Sequence, residues 1–459
     1  MGFREEKDTL GTVRIPLDAY YGPQTQRAVD NFPIGSMRFP FSAIRALILI
    51  KRCAAGVNQQ LGLLNADLAE AIAQAATEAL DGRLDDQFVV SVYQTGSGTS
   101  SNMNVNEVLA TRANEILTGT KGGKTPIHPN DHVNLGQSSN DVIPTAIHVA
   151  ALTELSGSLA PALKGLYQAL ADKAEAFADI PKIGRTHLQD AIPMTLGQEF
   201  SGYARQVELA CRRVGGSSDD LCELALGGTA VGTGLNAHPE FASRTITEIS
   251  KTTGIDFREA ENHFSAQAAQ DAVVQTSGTL KTVAVSLSKI ANDIRWLASG
   301  PRCGLGEINL PSLQPGSSIM PGKVNPVIPE AVLQVGAQVI GNDTAVTIGG
   351  QGGIFELNVM LPVIAHNLLQ SIELLTAAAQ VFAEKCVTGI TANRETCEGY
   401  IEKSLALVTG LVPKIGYDKA AAIAKKAHAT GLTIRQILTQ DKVMTETEIN
   451  ALFNIHANL

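Results

Sequence analysis

Leu280, Val283, Leu287, Ile290, Ile294 and Leu297 recur at alternating steps of three and four residues without a break. That spacing is a heptad seam, and it commits the segment to a long helix packed along its neighbours at shallow angles. Two further stripes repeat the demand. Leu152, Leu155, Leu159, Leu163, Leu166 and Leu170 mark one face of a long helix with a kink expected at Pro161. Leu361, Ile364, Leu368, Ile372, Leu375 and Phe382 mark another. Aromatic residues make up only 5% of the chain, with a single Trp, so Ala and Leu carry the packing and favour close helix–helix contact. The expectation is a mainly all-α protein with a central long-helix bundle. Helices with more than one apolar stripe have more surface to bury than one subunit covers, so self-association is expected.

The rest of the chain frames that bundle. At 459 residues, length alone suggests about three domains of ~150 residues. The division expected is residues 1–138 as a mainly helical N-terminal domain, 139–394 as the bundle domain and 395–459 as a small helical C-terminal domain. In the last, short helices are separated by Gly410, Pro413, Gly416 and Gly431. Residues 1–40, rich in Pro, Gly and Tyr, read as irregular structure with a short strand. Helical patterning starts near Ser42, Asn65 or Asp67 caps a helix running through Leu80, and a helix is expected over Glu107–Leu117.

Net charge is −9 and no Lys/Arg run occurs, which argues against nucleic acid or an anionic membrane as partner. The six cysteines, Cys53, Cys211, Cys222, Cys303, Cys386 and Cys397, include no Cys-x-x-Cys pair. They point away from zinc or iron–sulfur ligation and toward mostly buried thiols in a reducing compartment. No signal-like apolar segment opens the chain, and the expectation is a cytoplasmic protein.

Four polar clusters interrupt this apolar background. Thr95-Gly96-Ser97-Gly98-Thr99-Ser100-Ser101-Asn102 combines small residues, which let backbone approach a ligand, with hydroxyls that donate to a carboxylate. His128-Pro129-Asn130-Asp131 reads equally as a surface turn or a ligand site, and Gln137-Ser138-Ser139-Asn140-Asp141 follows it. There Ser139 or Asn140 suits a helix N-cap, which accounts for one polar residue of the group. Gly184-Arg185-Thr186-His187-Leu188-Gln189-Asp190 places a histidine in a polar run off any apolar helix face. The fourth, Gly316-Ser317-Ser318-Ile319-Met320-Pro321-Gly322-Lys323-Val324-Asn325-Pro326, packs hydroxyls, an ammonium and an amide into a Gly/Pro-punctuated loop suited to an anion. Glu330 lies just beyond it, where a plain helix-start acid would also sit.

These four clusters in this order resemble the fumarase/aspartase superfamily, over essentially the whole chain from Tyr20-Tyr21-Gly22 to Ile415-Gly416-Tyr417-Asp418-Lys419-Ala420. Within it the chain looks most like the class II, iron-independent fumarate hydratases. Arg185-Thr186-His187 decides this, because aspartases usually carry Gln at the His187 position and Ser-Thr-Asn where Ser138-Ser139-Asn140 stands. Gly227-Gly228-Thr229-Ala230-Val231-Gly232-Thr233-Gly234-Leu235-Asn236 and His366-Asn367 are also fumarase-like. Val327-Ile328-Pro329-Glu330 and Asn358-Val359-Met360 are more aspartase-like.

The resemblance implies reversible anti addition of water to fumarate, giving L-malate, as in the tricarboxylic acid cycle. It implies Ser317 as base, and His187, oriented by Glu330, acting through a water on the opposite face. Lys323 and Asn325 would stabilise the doubly charged carboxylate. Ser97, Gly98, Thr99, Ser138, Ser139, Asn140, Thr186, Ser318 and Val324, together with Lys323 and Asn325, would bind substrate. His128, Pro129, Asn130 and Asp131 resemble a second dicarboxylate site. The implied assembly is a homotetramer with composite active sites, the three-domain fold of the family, a glycine-rich loop near Gly304–Gly322 that closes over substrate, and no metal or organic cofactor. The rival readings are an ammonia-lyase acting on aspartate, a lyase releasing fumarate from a larger succinyl adduct, and a non-catalytic protein on a lyase scaffold.

Overall fold

A computed structural model describes residues 2–453. The chain forms two compact units. The first comprises residues up to Pro161 with Arg212–Ala284 and Ala337–Thr376, and the second Ala162–Cys211, Val285–Gly336 and the segment from Ala377 onward.

All three predicted stripes are buried in long helices. Leu280, Val283, Leu287, Ile290, Ile294 and Leu297 lie at 4% exposure or less in the helix Asp271–Leu297. The third stripe lies in Leu361–Lys385, and a further long helix spans Val327–Gly350. Glycines let these helices approach closely. A Cβ at Gly350 would sit 2.6 Å from Val274 Cγ2, and one at Gly349 2.6 Å from Ile364 Cγ1. A polar layer pins their register: Ser277 donates to Asp343 at 2.9 Å, and Asn342 donates to Ser371 at 3.1 Å and Gln370 at 3.0 Å. In the second unit Tyr203, on the helix Leu196–Gly216, donates to Asp293 of the seam helix at 3.1 Å. The result is a mainly-α bundle whose short strands form two-stranded pairs.

The Leu152–Leu170 stripe departs from a kink at Pro161. Helix Ser139–Glu154 passes through a π-turn at Leu155–Leu159 before Ala160–Ala176 continues. Pro161 offers no backbone N–H, and the widened turn just before it accommodates that loss. By length and composition Ser139–Ala176 could cross a membrane, yet 67% of its most apolar window is buried inside the protein.

Four local expectations need correction. Residues 3–16 form a β-hairpin and Pro23–Asn31 a helix, where irregular structure with a short strand was expected. The hairpin closes through Asp8–Gly11, and its first strand is tied down by Arg4, which donates to the carbonyls of Pro16, Ala19 and Tyr21. The helix expected over Glu107–Leu117 starts at Thr99 and ends at Thr118, so the Asn102–Asn106 amide run lies inside it. The N-cap of Ser139–Glu154 is Ser138, one residue before the expected position, with Asp141 completing a capping box. Of the six cysteines, Cys53, Cys386 and Cys397 are buried, Cys211 and Cys222 partly so, and Cys303 is exposed. Asn65 caps Ala66–Leu80 as expected.

The amides in Thr99–Thr118 are scaffolding. Asn104 accepts from Val89 N–H and donates to Gln87 O, and Asn114 accepts from Ile127 N–H and donates to Ile127 O. Glu107, fully inside the protein, accepts four donors: the N–H groups of Gly22, Gln24 and Thr25 and the Thr25 hydroxyl. It supplies the acceptors that the N-terminus of Pro23–Asn31 lacks, since Gly22 brings no capping side chain. Burial pushes its pKa up, and the four donors oppose that. Glu107→Gln turns an NH2 toward one of these donors. The expected cost is about 1–3 kcal/mol, read as a lower midpoint in urea denaturation with an unchanged slope.

Candidate active site

The first unit gathers one set of the expected residues. Gly98 adopts φ 75° directly before the helix Thr99–Thr118. Its neighbours form a hydroxyl chain, with Ser97 Oγ to Thr99 Oγ1 at 2.9 Å and Thr99 Oγ1 to Ser139 Oγ at 2.7 Å. The two polar clusters are therefore in contact across 40 residues of sequence. Gly96 packs against the aspartase-like segment. A Cβ there would lie 1.9 Å from Val359 O, and Gly96 O accepts the Leu361 N–H at 3.0 Å. Asn358 is buried, donating to Gly349 O and accepting from Met360 N–H. That segment supports the Thr95–Thr99 loop by backbone contact.

Ser138, Ser139 and Asn140 begin the helix Ser139–Glu154, half-buried. Asn140 N–H is accepted by Ser138 Oγ, and Asn140 Nδ2 donates to Ala230 O at 2.8 Å. Lys51 was not foreseen here, although a lysine directly after the run Leu47-Ile48-Leu49-Ile50 is itself a signal. It is fully buried and donates to Asn134 Oδ1 and Gln137 Oε1, both at 2.8 Å. Burial lowers its pKa to about 7, against the pull of Asp141.

His128, Pro129, Asn130 and Asp131 open a π-turn at Pro129–Val133. His128 Nδ1 accepts the N–H groups of Asn130 and Asp131, both at 3.2 Å, and lies 3.4 Å from Asp131 Oδ2. Burial holds this imidazole below its ordinary pKa. Asn130 and Asp131 are exposed.

The second unit holds the remaining residues. Strands Pro181–Thr186 and Gln189–Thr195 form a hairpin whose two-residue turn is His187-Leu188. Both turn residues are left-handed, at φ 57° and 58°. A turn of this kind ordinarily takes Asn-Gly, so His-Leu is a strained choice that leaves an exposed imidazole at the tip. The strain is held from below by a buried charge cluster that sequence reading missed. Arg185 makes a bidentate contact with Glu307 at 2.8 and 3.0 Å, and Lys182 lies 2.8 Å from Glu199 and 3.4 Å from Glu307. Glu307 is completely buried. Arg185 is thus an anchor for the turn, and Thr186 and His187 are what the turn presents to solvent.

The loop Gly316–Pro326 is folded around its serine. Ser317 Oγ accepts the Met320 N–H at 3.0 Å and the Ile319 N–H at 3.3 Å. The base of the loop is closed by Gly316 N–H to Lys323 O at 2.7 Å and Asn325 Nδ2 to Gly316 O at 2.7 Å. Gly316 is required, because a Cβ would lie 2.7 Å from Lys323 O and 2.9 Å from Asn325 N. Ser318 and Lys323 are exposed, and Lys323 makes no ion pair among the described residues. Lys323, Val324, Asn325 and Glu330 line one cavity of about 730 Å³ with Arg295, Trp296 and Asn309. Glu330 sits in the first turn of Val327–Gly350. No hydrogen bond joins Thr186 or His187 to this loop among the described residues.

The second unit thus supplies a hydroxyl that accepts two backbone N–H groups, an ammonium without an ion pair among the described residues and an exposed imidazole, and the first unit supplies a set of small hydroxyl and amide groups. Such groups suit proton transfer next to a carboxylate.

Comparison with known proteins places these features in a family. Residues 11–341 match the family described as "Lyase", and residues 407–457 match "Fumarase C C-terminus". The chain is 56% identical to the class II fumarate hydratase of Nitrosomonas europaea, covering 95% of this chain and 94% of that one. It is 54% identical to that of Thermosynechococcus vestitus, covering 97% and 96%. Among solved structures, the class II fumarase of Schistosoma mansoni superposes with a TM-score of 0.95 at 40% identity, covering 99% and 98%. The fumarate lyase:delta crystallin of Brucella melitensis in native form gives 0.90 at 46% identity, covering 95% and 100%. Helical bundle, hairpin-borne histidine and serine loop thus occur together in a chain that belongs to the class II fumarate hydratases of the fumarase/aspartase superfamily.

Proposed function

We propose that this protein is a fumarate hydratase, interconverting fumarate and L-malate in the tricarboxylic acid cycle, with the chemistry divided as follows. In the dehydration direction a weakly acidic proton leaves the carbon next to one carboxylate, which then carries two negative charges. Lys323, Asn325 and loop N–H groups stabilise that charge. Ser317 removes the proton. The observation that carries this is the pair of backbone N–H groups, from Ile319 and Met320, already directed at Ser317 Oγ. Donors of this kind favour the alkoxide over the alcohol, and Lys323 adds positive charge to the same loop. His187 stands on the opposite face of the substrate, oriented by Glu330, and handles the proton of the departing hydroxyl through a water. The exposed, strained turn that holds it supports a presented role over a structural one. Ser97, Gly98, Thr99, Ser138, Ser139, Asn140, Thr186, Ser318 and Val324 bind carboxylates and hydroxyl, and His128–Asp131 forms a second, less important dicarboxylate site.

Four subunits assemble through their long helices, and each active site draws its clusters from several chains. Exposed apolar residues on those helices support this, among them Val285, Ile340, Ile348 and Val381 at 39–59% exposure. The three-part division 1–138, 139–394 and 395–459 is retained, supported at its C-terminal end by a separate core of Ile401, Leu411, Ile434, Ile437, Leu438 and neighbours. The protein works in the cytoplasm, which six cysteines without a disulfide among the described residues support.

Proton NMR of fumarate with the purified protein is expected to show malate alone, with or without ammonium. Aspartate in the ammonium sample would transfer the chain to the ammonia-lyases. Ser317→Ala should lower kcat by roughly 10²–10⁴-fold with the circular dichroism spectrum intact. Near-normal turnover would remove Ser317 from the base role. His128→Asn is expected to leave turnover within about threefold of the parent, since losses confined to a peripheral site leave transition-state contacts in place.

A further inference from the structure

Asp141 is completely buried and absent from the catalytic scheme, yet it holds two segments together. Its Oδ1 accepts the Ser138 N–H at 2.9 Å. Its Oδ2 accepts the N–H groups of Gly227 and Thr229, at 3.1 and 2.9 Å, from a loop more than 80 residues away. A capping box needs only the first of these bonds and is ordinarily completed by Glu or Gln. The second oxygen is therefore committed to the loop, and an amide in its place would turn NH2 toward N–H donors on one side or the other.

The loop so held lies against the candidate binding cluster. Asn140 Nδ2 donates to Ala230 O at 2.8 Å, and Gln267 Nε2 donates to Thr229 O at 2.9 Å. Thr229 is buried with φ 54°, a conformation that needs outside support. At Gly228 a Cβ would lie 2.1 Å from Gln267 Oε1, so a side chain there would displace the Gln267 amide. Lys51, buried in the helix Phe41–Gln60, adds a weaker charge interaction that favours the Asp141 carboxylate. Burial raises the Asp141 pKa to about 6, and the three backbone donors and Lys51 oppose a further rise.

We propose that Asp141 is a positioning residue of the dicarboxylate site: by clamping Gly227–Thr229 to the start of the Ser139–Glu154 helix, it fixes the direction in which Ser139 and Asn140 meet a substrate carboxylate. This rests on the reading that the Ser138–Asn140 cluster binds substrate. The clamp acts on binding of the ground state and transition state alike, so its loss raises KM and leaves kcat nearly intact.

The test measures succinate binding by calorimetry and fumarate hydration by steady-state kinetics, on the intact protein and on Asp141→Asn, Gln267→Leu and Asn140→Ala. Asp141→Asn leaves at least one buried donor unpaired, and roughly a tenfold or greater rise in succinate Kd and fumarate KM is expected, with kcat changed less than about threefold. Hydrogen exchange of the peptide containing residues 227–230 should accelerate in the same variant. Gln267→Leu releases the loop from its other side while keeping the capping box, and should also raise Kd; it decides the matter if Asp141→Asn does not fold. Unchanged Kd in folded Asp141→Asn, or in Gln267→Leu when Asp141→Asn is unfolded, overturns the proposal, as does a loss confined to kcat. Asn140→Ala tests the underlying reading separately: if it binds succinate like the parent protein, that reading fails whatever Asp141→Asn does.

Discussion

A buried backbone N–H without an acceptor costs as much as a lost hydrogen bond, and loops between long helices are full of such groups. This protein meets the demand with carboxylates and amides projected from its helices. Glu107 receives the turn at residues 22–25, Asn114 receives Ile127, Asn104 receives Val89, and Asp141 receives Ser138, Gly227 and Thr229. The bundle is the rigid part, and these side chains transmit its rigidity to loops that have no repeating hydrogen-bond pattern of their own. Ser317 applies the same device within its own loop. Its oxygen is the acceptor that folds the loop, and the donors that fold the loop are the ones that would stabilise its negative charge.

The long helices were legible because burial enforces a period. Each of the stripes at 280–297 and 361–382 is read directly from residue spacing and reappears buried in one helix. The Asn65 cap was legible for the same reason: a local rule with a local partner. What failed did so where distant partners decide. The run Asn102–Asn106 looks like a polar loop in isolation and is a buried helix because Asn134, Gln87 and Val89 answer its amides from elsewhere. In the hairpin at residues 3–16 only the second strand alternates, with Val13 and Ile15 buried; the first, Phe3–Asp8, has no apolar alternation and is held by Arg4 on carbonyls up to 17 residues away.

The candidate site was legible as motifs and opaque as geometry. That Ser317, Lys323 and Asn325 share a loop follows from their proximity in sequence. That Thr99 reaches Ser139, or that Asp141 grips residues 227–229, does not. Arg185 shows the limit most clearly. It stands inside the motif that names the family, and its guanidinium points away from solvent to Glu307. Its work is to hold a left-handed turn in which neither His187 nor Leu188 is the residue that turn prefers.

The most direct measurement is a crystal structure of the protein with L-malate bound. Malate is expected between Ser317 Oγ on one face and a water held by His187 on the other, with a carboxylate within hydrogen-bond distance of Lys323 and Asn325. A well-ordered malate at full occupancy, remote from both Ser317 and His187, would contradict this placement.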